Sequence, residues 1–75
     1  MKGNTLRVRR AERRISQLDL SREVGIGVNR FWRIENGYAD PTDEERASIA
    51  SALGVSEAEI WPDLAERNEK PQPAA

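Results

Sequence analysis

Apolar residues fall in short clusters with helical spacing, separated by cap-forming and turn-forming residues. Leu20 and Val24 lie four apart, Phe31 and Ile34 three apart, and Ile49 and Leu53 four apart. These are the i, i+3 and i+4 intervals that place side chains on one face of an α-helix. The pattern predicts five short helices and no sheet. The first runs from about Thr5, as N-cap, to Arg13, with Leu6, Val8 and Ala11 as its modest apolar content. The second follows Ser16, whose hydroxyl can accept a first-turn N–H while Asp19 reaches back in a variant of the capping box. It ends at Val24, because Gly25 tolerates positive φ. Ser21 is small enough to let another helix approach closely. The third spans Val28 to Asn36 and stops at Gly37. Pro41 then forbids an uninterrupted helix. Thr42 caps the fourth, with Glu44 and Glu45 favourable to the dipole in its first turn, Ile49, Ala50 and Leu53 as its stripe, and Gly54 as its end. Ser56 and Glu59 form a capping box for the fifth, which carries Ile60 and Trp61 and ends at Pro62. Leu6, Leu20, Val24, Ile26, Phe31, Ile34, Ile49, Leu53, Val55, Ile60 and Trp61 are expected to make one core.

Length makes this a single domain, expected over residues 1–65, with a polar tail from Glu66 to Ala75 that reads as disordered. A domain this small buries only roughly 60% of its unfolded surface, so its core is thin. Cysteine and histidine are both absent from the sequence. That removes disulfides, thiolate metal sites and the commonest metal ligand and general base. With no room for a sizeable pocket, the reading is a non-enzymatic chain with no cofactor and no small-molecule ligand. The apolar runs are too short to span a membrane and the start MKGNTLRVRR lacks a signal-peptide core, so a cytoplasmic location is expected and no membrane partner.

The net charge of −1 conceals a segregation by sign. Residues 1–37 hold nine basic and four acidic side chains, a net of +5, and residues 38–75 hold three basic and nine acidic, a net of −6. Charges that only solvated helices would not need to separate in this way. A basic half suggests a footprint for a polyanion.

The third helix sharpens that suggestion. Phe31, Ile34 and Glu35 share one side of its wheel, and Asn29, Arg33 and Asn36 lie opposite, flanked by Arg30 and Trp32. Two short helices joined by a tight turn, with polar and basic groups outward on the second, are what a small protein needs to place a helix in the DNA major groove. Arginine can bond bidentately to guanine and asparagine to adenine. Arg33 and Asn29 are therefore the base-reading candidates, with phosphate contact or simple solvation as the plainer role for Arg33. Val28 suits a thymine methyl equally with a half-buried first-turn position. Arg30 is a candidate phosphate contact. Trp32 has three readings: packing on sugar or bases, anchoring a protein partner, or folding back toward Leu18. Trp61 reads as core rather than interface.

The string SQLDLSREVGIGVNRFWRIENG, followed by P-T-x-E-E and IASALGVSEAEIWP, resembles the phage-repressor helix-turn-helix family (Cro/CI-like, XRE-type) over about Leu6 to Pro62. Three pieces carry the resemblance: S-Q opening the second helix, R-I-E-N-G closing the third, and A-L-G-V-S between the fourth and fifth. It implies an all-α, compact five-helix bundle of the lambda-repressor-like type, with the helix-turn-helix at helices 2 and 3. It also implies binding of double-stranded DNA, usually as a homodimer on a near-palindromic operator. Gln17 resembles the family's phosphate-contacting glutamine. Val28, Asn29, Trp32 and Arg33 match the groove-facing positions, and Arg30 and Tyr38 complete the expected DNA-contacting set. Glu35 and Arg10 match a structural carboxylate–arginine pair. Three departures stand out. Arg14 replaces a usual glycine, so the first turn is strained or differently built. Arg9 and Arg46 replace often apolar residues and thin the core. The loop after helix 3, often basic, reads Tyr38-Ala39-Asp40, which weakens the expected phosphate clamp.

The leading reading is therefore a sequence-specific DNA-binding regulator of transcription, a repressor, dimerising through helix 5 and the segment Trp61 to Ala65. The competing reading is a protein-interaction module on the same fold, an antirepressor or antitoxin component working through the Trp32 face.

Overall fold

The structure, a computed structural model, describes residues 4–63. The expected domain boundary at residue 65 and the tail beyond it lie outside the described residues. Among these residues five helices follow in order: α1 (Leu6–Glu12), α2 (Gln17–Val24), α3 (Val28–Glu35), α4 (Asp43–Leu53) and α5 (Glu57–Ile60). Among the described residues there is no strand, so the fold is all-α. α2 packs against both α3 and α4, and α4 against α5.

Local chemistry fixes the helix ends. Thr42 and Glu45 form a full capping box at α4, and Ser56 and Glu59 form another at α5. At α2 only half of the expected box is made. The Ser16 hydroxyl accepts from the Asp19 N–H at 3.0 Å, but the Asp19 side chain makes no return bond. Its carboxylate sits one methylene shorter than that of the glutamates which complete the other two boxes.

The cap of α1 differs from expectation. Thr5 makes no capping bond; its hydroxyl instead donates to the Glu59 carbonyl at 2.6 Å, tying α1 to α5. The residue before it does the work. Asn4 Oδ1 accepts the Leu6 N–H at 3.0 Å, and Asn4 Nδ2 donates to the carbonyls of Ile34 and Glu35 at 3.1 and 3.3 Å. One side chain thus satisfies a helix start and a helix end, groups that are otherwise orphaned.

The end of α1 explains the arginine at position 14. The Arg14 N–H bonds the Ala11 carbonyl at 3.0 Å and the Ile15 N–H bonds the Arg10 carbonyl at 3.1 Å. This is the paired termination that normally places glycine in the left-handed region. Arg14 occupies that position with φ +54°, as Gly25 does at the end of α2 with φ +73°. The left-handed conformation costs a side-chain-bearing residue roughly 1 kcal/mol.

The core joins Leu6, Leu20, Ile26, Phe31, Ile34, Ile49, Leu53, Ile60 and Trp61, all buried as expected, and adds Ala50. Val24 and Val55 are only half-buried against its edge, because each stands beside a glycine turn at the surface end of a helix. Ser21 is fully buried and its hydroxyl donates to the Leu18 carbonyl at 2.8 Å, so it packs closely without leaving a polar group unpaired. The Arg46 stem is largely buried, with Nη1 donating to the Pro41 carbonyl at 2.9 Å and the guanidinium beside Asp43 and Glu57. The half-buried guanidinium is thus accompanied by two carboxylates.

Candidate nucleic-acid interface

The α2–α3 turn sets the angle of the candidate recognition helix. The Gly25 N–H bonds the Arg22 carbonyl at 3.2 Å and the Ile26 N–H bonds the Ser21 carbonyl at 2.9 Å. Ile26 then drops into the core and Gly27 begins α3. Phe31, Ile34 and Glu35 are the buried residues of α3, and Val28, Asn29, Arg30, Trp32 and Arg33 are exposed. The expected division of the helix into an inner and an outer face therefore holds. Val28 is 40% exposed in the first turn, a position open to either of its readings.

Glu35 locks the inner face. Arg10 holds it with two bonds, Nε to Oε1 at 2.8 Å and Nη2 to Oε2 at 3.2 Å. Gln17 Nε2 adds a third bond to Oε2 at 3.0 Å, and Arg7 Nε approaches to 3.6 Å. The Glu35 side chain is 1% exposed, so a carboxylate without these donors would be stranded in low dielectric. Gln17, expected at a DNA phosphate, is thus anchored to α3 through its amide. Each amide nitrogen carries two hydrogens, and one of them remains for another acceptor.

The outer face carries two kinds of group. No hydrogen bond or ion pair ties the side chains of Asn29 or Arg33 to another described residue. Arg30 is different. Its Nε donates to Glu45 Oε2 and its Nη2 to Glu45 Oε1, both at 2.8 Å, and Nη2 also reaches the Asp40 carbonyl at 3.3 Å. Hydrogen bonding to Arg30 is the largest of the effects that bring the Glu45 carboxyl down to about 2, and the same pairing raises the Arg30 guanidinium. Sequence spacing did not signal this contact, because it depends on how the loop folds Glu45 back beside α3.

Trp32 does not fold back into the core beside Leu18; it stacks on Tyr38, with ring centroids 5.6 Å apart and planes 14° from parallel. The loop is turned back by bonds from the Tyr38 and Ala39 N–H groups to the Arg33 carbonyl, at 2.7 and 3.2 Å, with Gly37 at φ +81° supplying the reversal. Trp32 is 47% exposed and Tyr38 60%, so the pair forms an aromatic surface beside Arg33 rather than part of the core. Leu18 is also exposed.

Elsewhere, an open groove of about 500 Å³ between α2 and α4 is lined by Glu23, Val24, Ala47, Ser48, Ser51 and Ala52. It offers one carboxylate, Glu23, and two hydroxyls, Ser48 and Ser51. Among the described residues no cluster of three or more carboxylates could hold a metal ion, and no helix is long and apolar enough to cross a membrane.

Comparison with known proteins agrees with the geometry. The family model described as a helix-turn-helix domain matches residues 3–60. No curated protein matches the chain. With the matched region spanning α1 to α5, and α2, its glycine turn and α3 forming the motif itself, the chain belongs to the helix-turn-helix domain family.

Proposed function

We propose that this protein is a sequence-specific regulator of transcription, a repressor, that lays α3 in the major groove of double-stranded DNA. The observation that carries the reading is the outer face of α3, where Asn29 and Arg33 stand exposed and uncommitted on a helix whose inner face is fixed by Phe31, Ile34 and the Arg10–Glu35 pair. A helix of about 10–12 Å diameter fits a groove about 12 Å wide. Arg33 reads guanine and Asn29 reads adenine, each with about 1–3 kcal/mol of discrimination. Val28 packs on a thymine methyl, and the remaining N–H of Gln17 at the start of α2 meets a phosphate. The Trp32–Tyr38 stack covers sugar at the edge of the footprint. Covering an operator is enough to block transcription, so repression requires no further chemistry from this domain. Binding as a homodimer places two recognition helices one helical turn apart, on the two half-sites of the operator.

Selection from a random duplex pool tests this reading. The wild-type chain is expected to enrich a motif, Arg33→Ala to relax it at one position and Asn29→Ala at another. No enriched motif with the wild type would overturn the proposal.

One observation favours a second reading. The exposed Trp32–Tyr38 stack, with Asp40 two residues on in the same loop, is also the kind of aromatic anchor that binds a protein. A chain that binds only a protein would not retain mixed-sequence duplex at low salt.

A further inference from the structure

We propose that Glu45 sets how tightly this domain holds DNA irrespective of sequence, by keeping the Arg30 guanidinium away from the phosphates. The inference rests on the DNA-binding reading above and adds to it a residue outside the recognition helix.

The geometry is specific. Arg30 lies one turn before Arg33 on α3, so both cations belong to the same helical surface. Only one is free to meet DNA. Glu45 grips Arg30 with two parallel 2.8 Å bonds, the fork arrangement in which a carboxylate takes the place a phosphate would occupy. The carboxylate is itself held. Its Oε1 accepts the Thr42 N–H at 2.8 Å, and the Glu45 N–H donates to the Thr42 hydroxyl at 3.1 Å. The capping box that starts α4 therefore fixes the anion beside α3, whereas a loose surface glutamate would swing away when DNA arrived. The Asp40 carbonyl accepts a further Arg30 N–H at 3.3 Å, closing the contact from the loop side. With its carboxyl brought down to about 2, chiefly by the bonds from Arg30, Glu45 is charged at neutral pH.

Sequence-independent DNA affinity comes from cations that displace condensed counterions, and each phosphate contact steepens the dependence of log K on log salt by about 0.9. An arginine already paired to an internal carboxylate contributes little to that exchange. Glu45 is thus a positioning residue that acts through Arg30, leaving Asn29 and Arg33 to read bases.

The test is equilibrium binding of the full chain to a mixed-sequence duplex between about 50 and 200 mM salt. Four proteins are compared: wild type, Glu45→Gln, Arg30→Gln and the double variant. Glutamine suits the same capping-box position, and circular dichroism checks that each variant is folded. Glu45→Gln is expected to bind about threefold to tenfold tighter at the low-salt end, with a slope steeper by about 0.9. Arg30→Gln alone is expected to change affinity by less than about twofold, and Glu45→Gln is expected to leave the slope unchanged when Arg30 is already glutamine. An unchanged slope in the single variant, or an equal gain in the Arg30→Gln background, would overturn the inference while wild-type binding still upheld the DNA-binding reading. Failure of all four proteins to bind at low salt would overturn both.

Discussion

Arg10 reaches from α1 to the buried carboxylate of Glu35 on α3 and grips both of its oxygens, at 2.8 and 3.2 Å, while its Nη1 donates to the Ile15 carbonyl at 2.9 Å. One guanidinium thereby orders the α1–α2 turn and the base of the recognition helix together. Removing either partner leaves a charge without its complement in a nearly dry site. Arg10→Ala and Glu35→Ala are each expected to lose about 3 kcal/mol of stability. Chemical denaturation at neutral pH checks this, and no loss in either variant would contradict it.

The Arg30–Glu45 pair gives a pH dependence with a definite sign. The folded-state carboxyl of Glu45 lies at about 2 against an ordinary 4.5. A depressed carboxyl stabilises the fold fully above its unfolded value and loses that contribution as pH falls between the two. The contribution is therefore present above about pH 5 and fades toward pH 2. Arg30 is 44% exposed at its side chain, so solvent screening keeps that contribution small. Glu45→Gln should show a correspondingly smaller loss of stability than wild type when melts are run from neutral pH down to about pH 2. Parallel pH curves for the two proteins would contradict the pairing.

Arg14→Gly should stabilise the domain. The backbone at Arg14 has φ +54°, and glycine relieves the steric cost at the small expense of a more flexible unfolded chain. A gain of about 0.5 kcal/mol, or a few degrees in Tm, is expected. A lower Tm would show that the Arg14 side chain contributes more than its backbone costs.

Asn4→Ala should be more damaging than an exposed-residue change usually is. It removes the acceptor for the Leu6 N–H and two donors to the end of α3. A loss of about 1–2 kcal/mol is expected, whereas Thr5→Ala should lose about 1 kcal/mol, since its hydroxyl makes one bond to Glu59. Equal losses would contradict the assignment of the cap to Asn4.

The helices were legible in the sequence because their ends are written in local chemistry. Ser16, Thr42 and Ser56 cap as their side chains suggest, and Gly25 and Gly54 end α2 and α4 in the left-handed region. The inner face of α3 was legible from periodicity alone, and the Arg10–Glu35 pair from family resemblance. What spacing could not convey depends on the path of the chain between elements. The stack of Tyr38 on Trp32 and the closure of Glu45 on Arg30 both follow from how residues 37–42 fold back over α3. The role of Asn4 carries no local signal for a related reason: two of its three bonds go to carbonyls about thirty residues away.

The central claim is that the outer face of α3 meets DNA, and heteronuclear NMR of the full chain tests it most directly. The chain is titrated with a mixed-sequence duplex at low and at moderate salt. Shifts at Gln17, Asn29, Arg33 and the Trp32 indole N–H that fade as salt rises are the predicted result. No shifts at those positions at low salt would contradict the account and turn attention to the Trp32–Tyr38 surface as a protein-binding site.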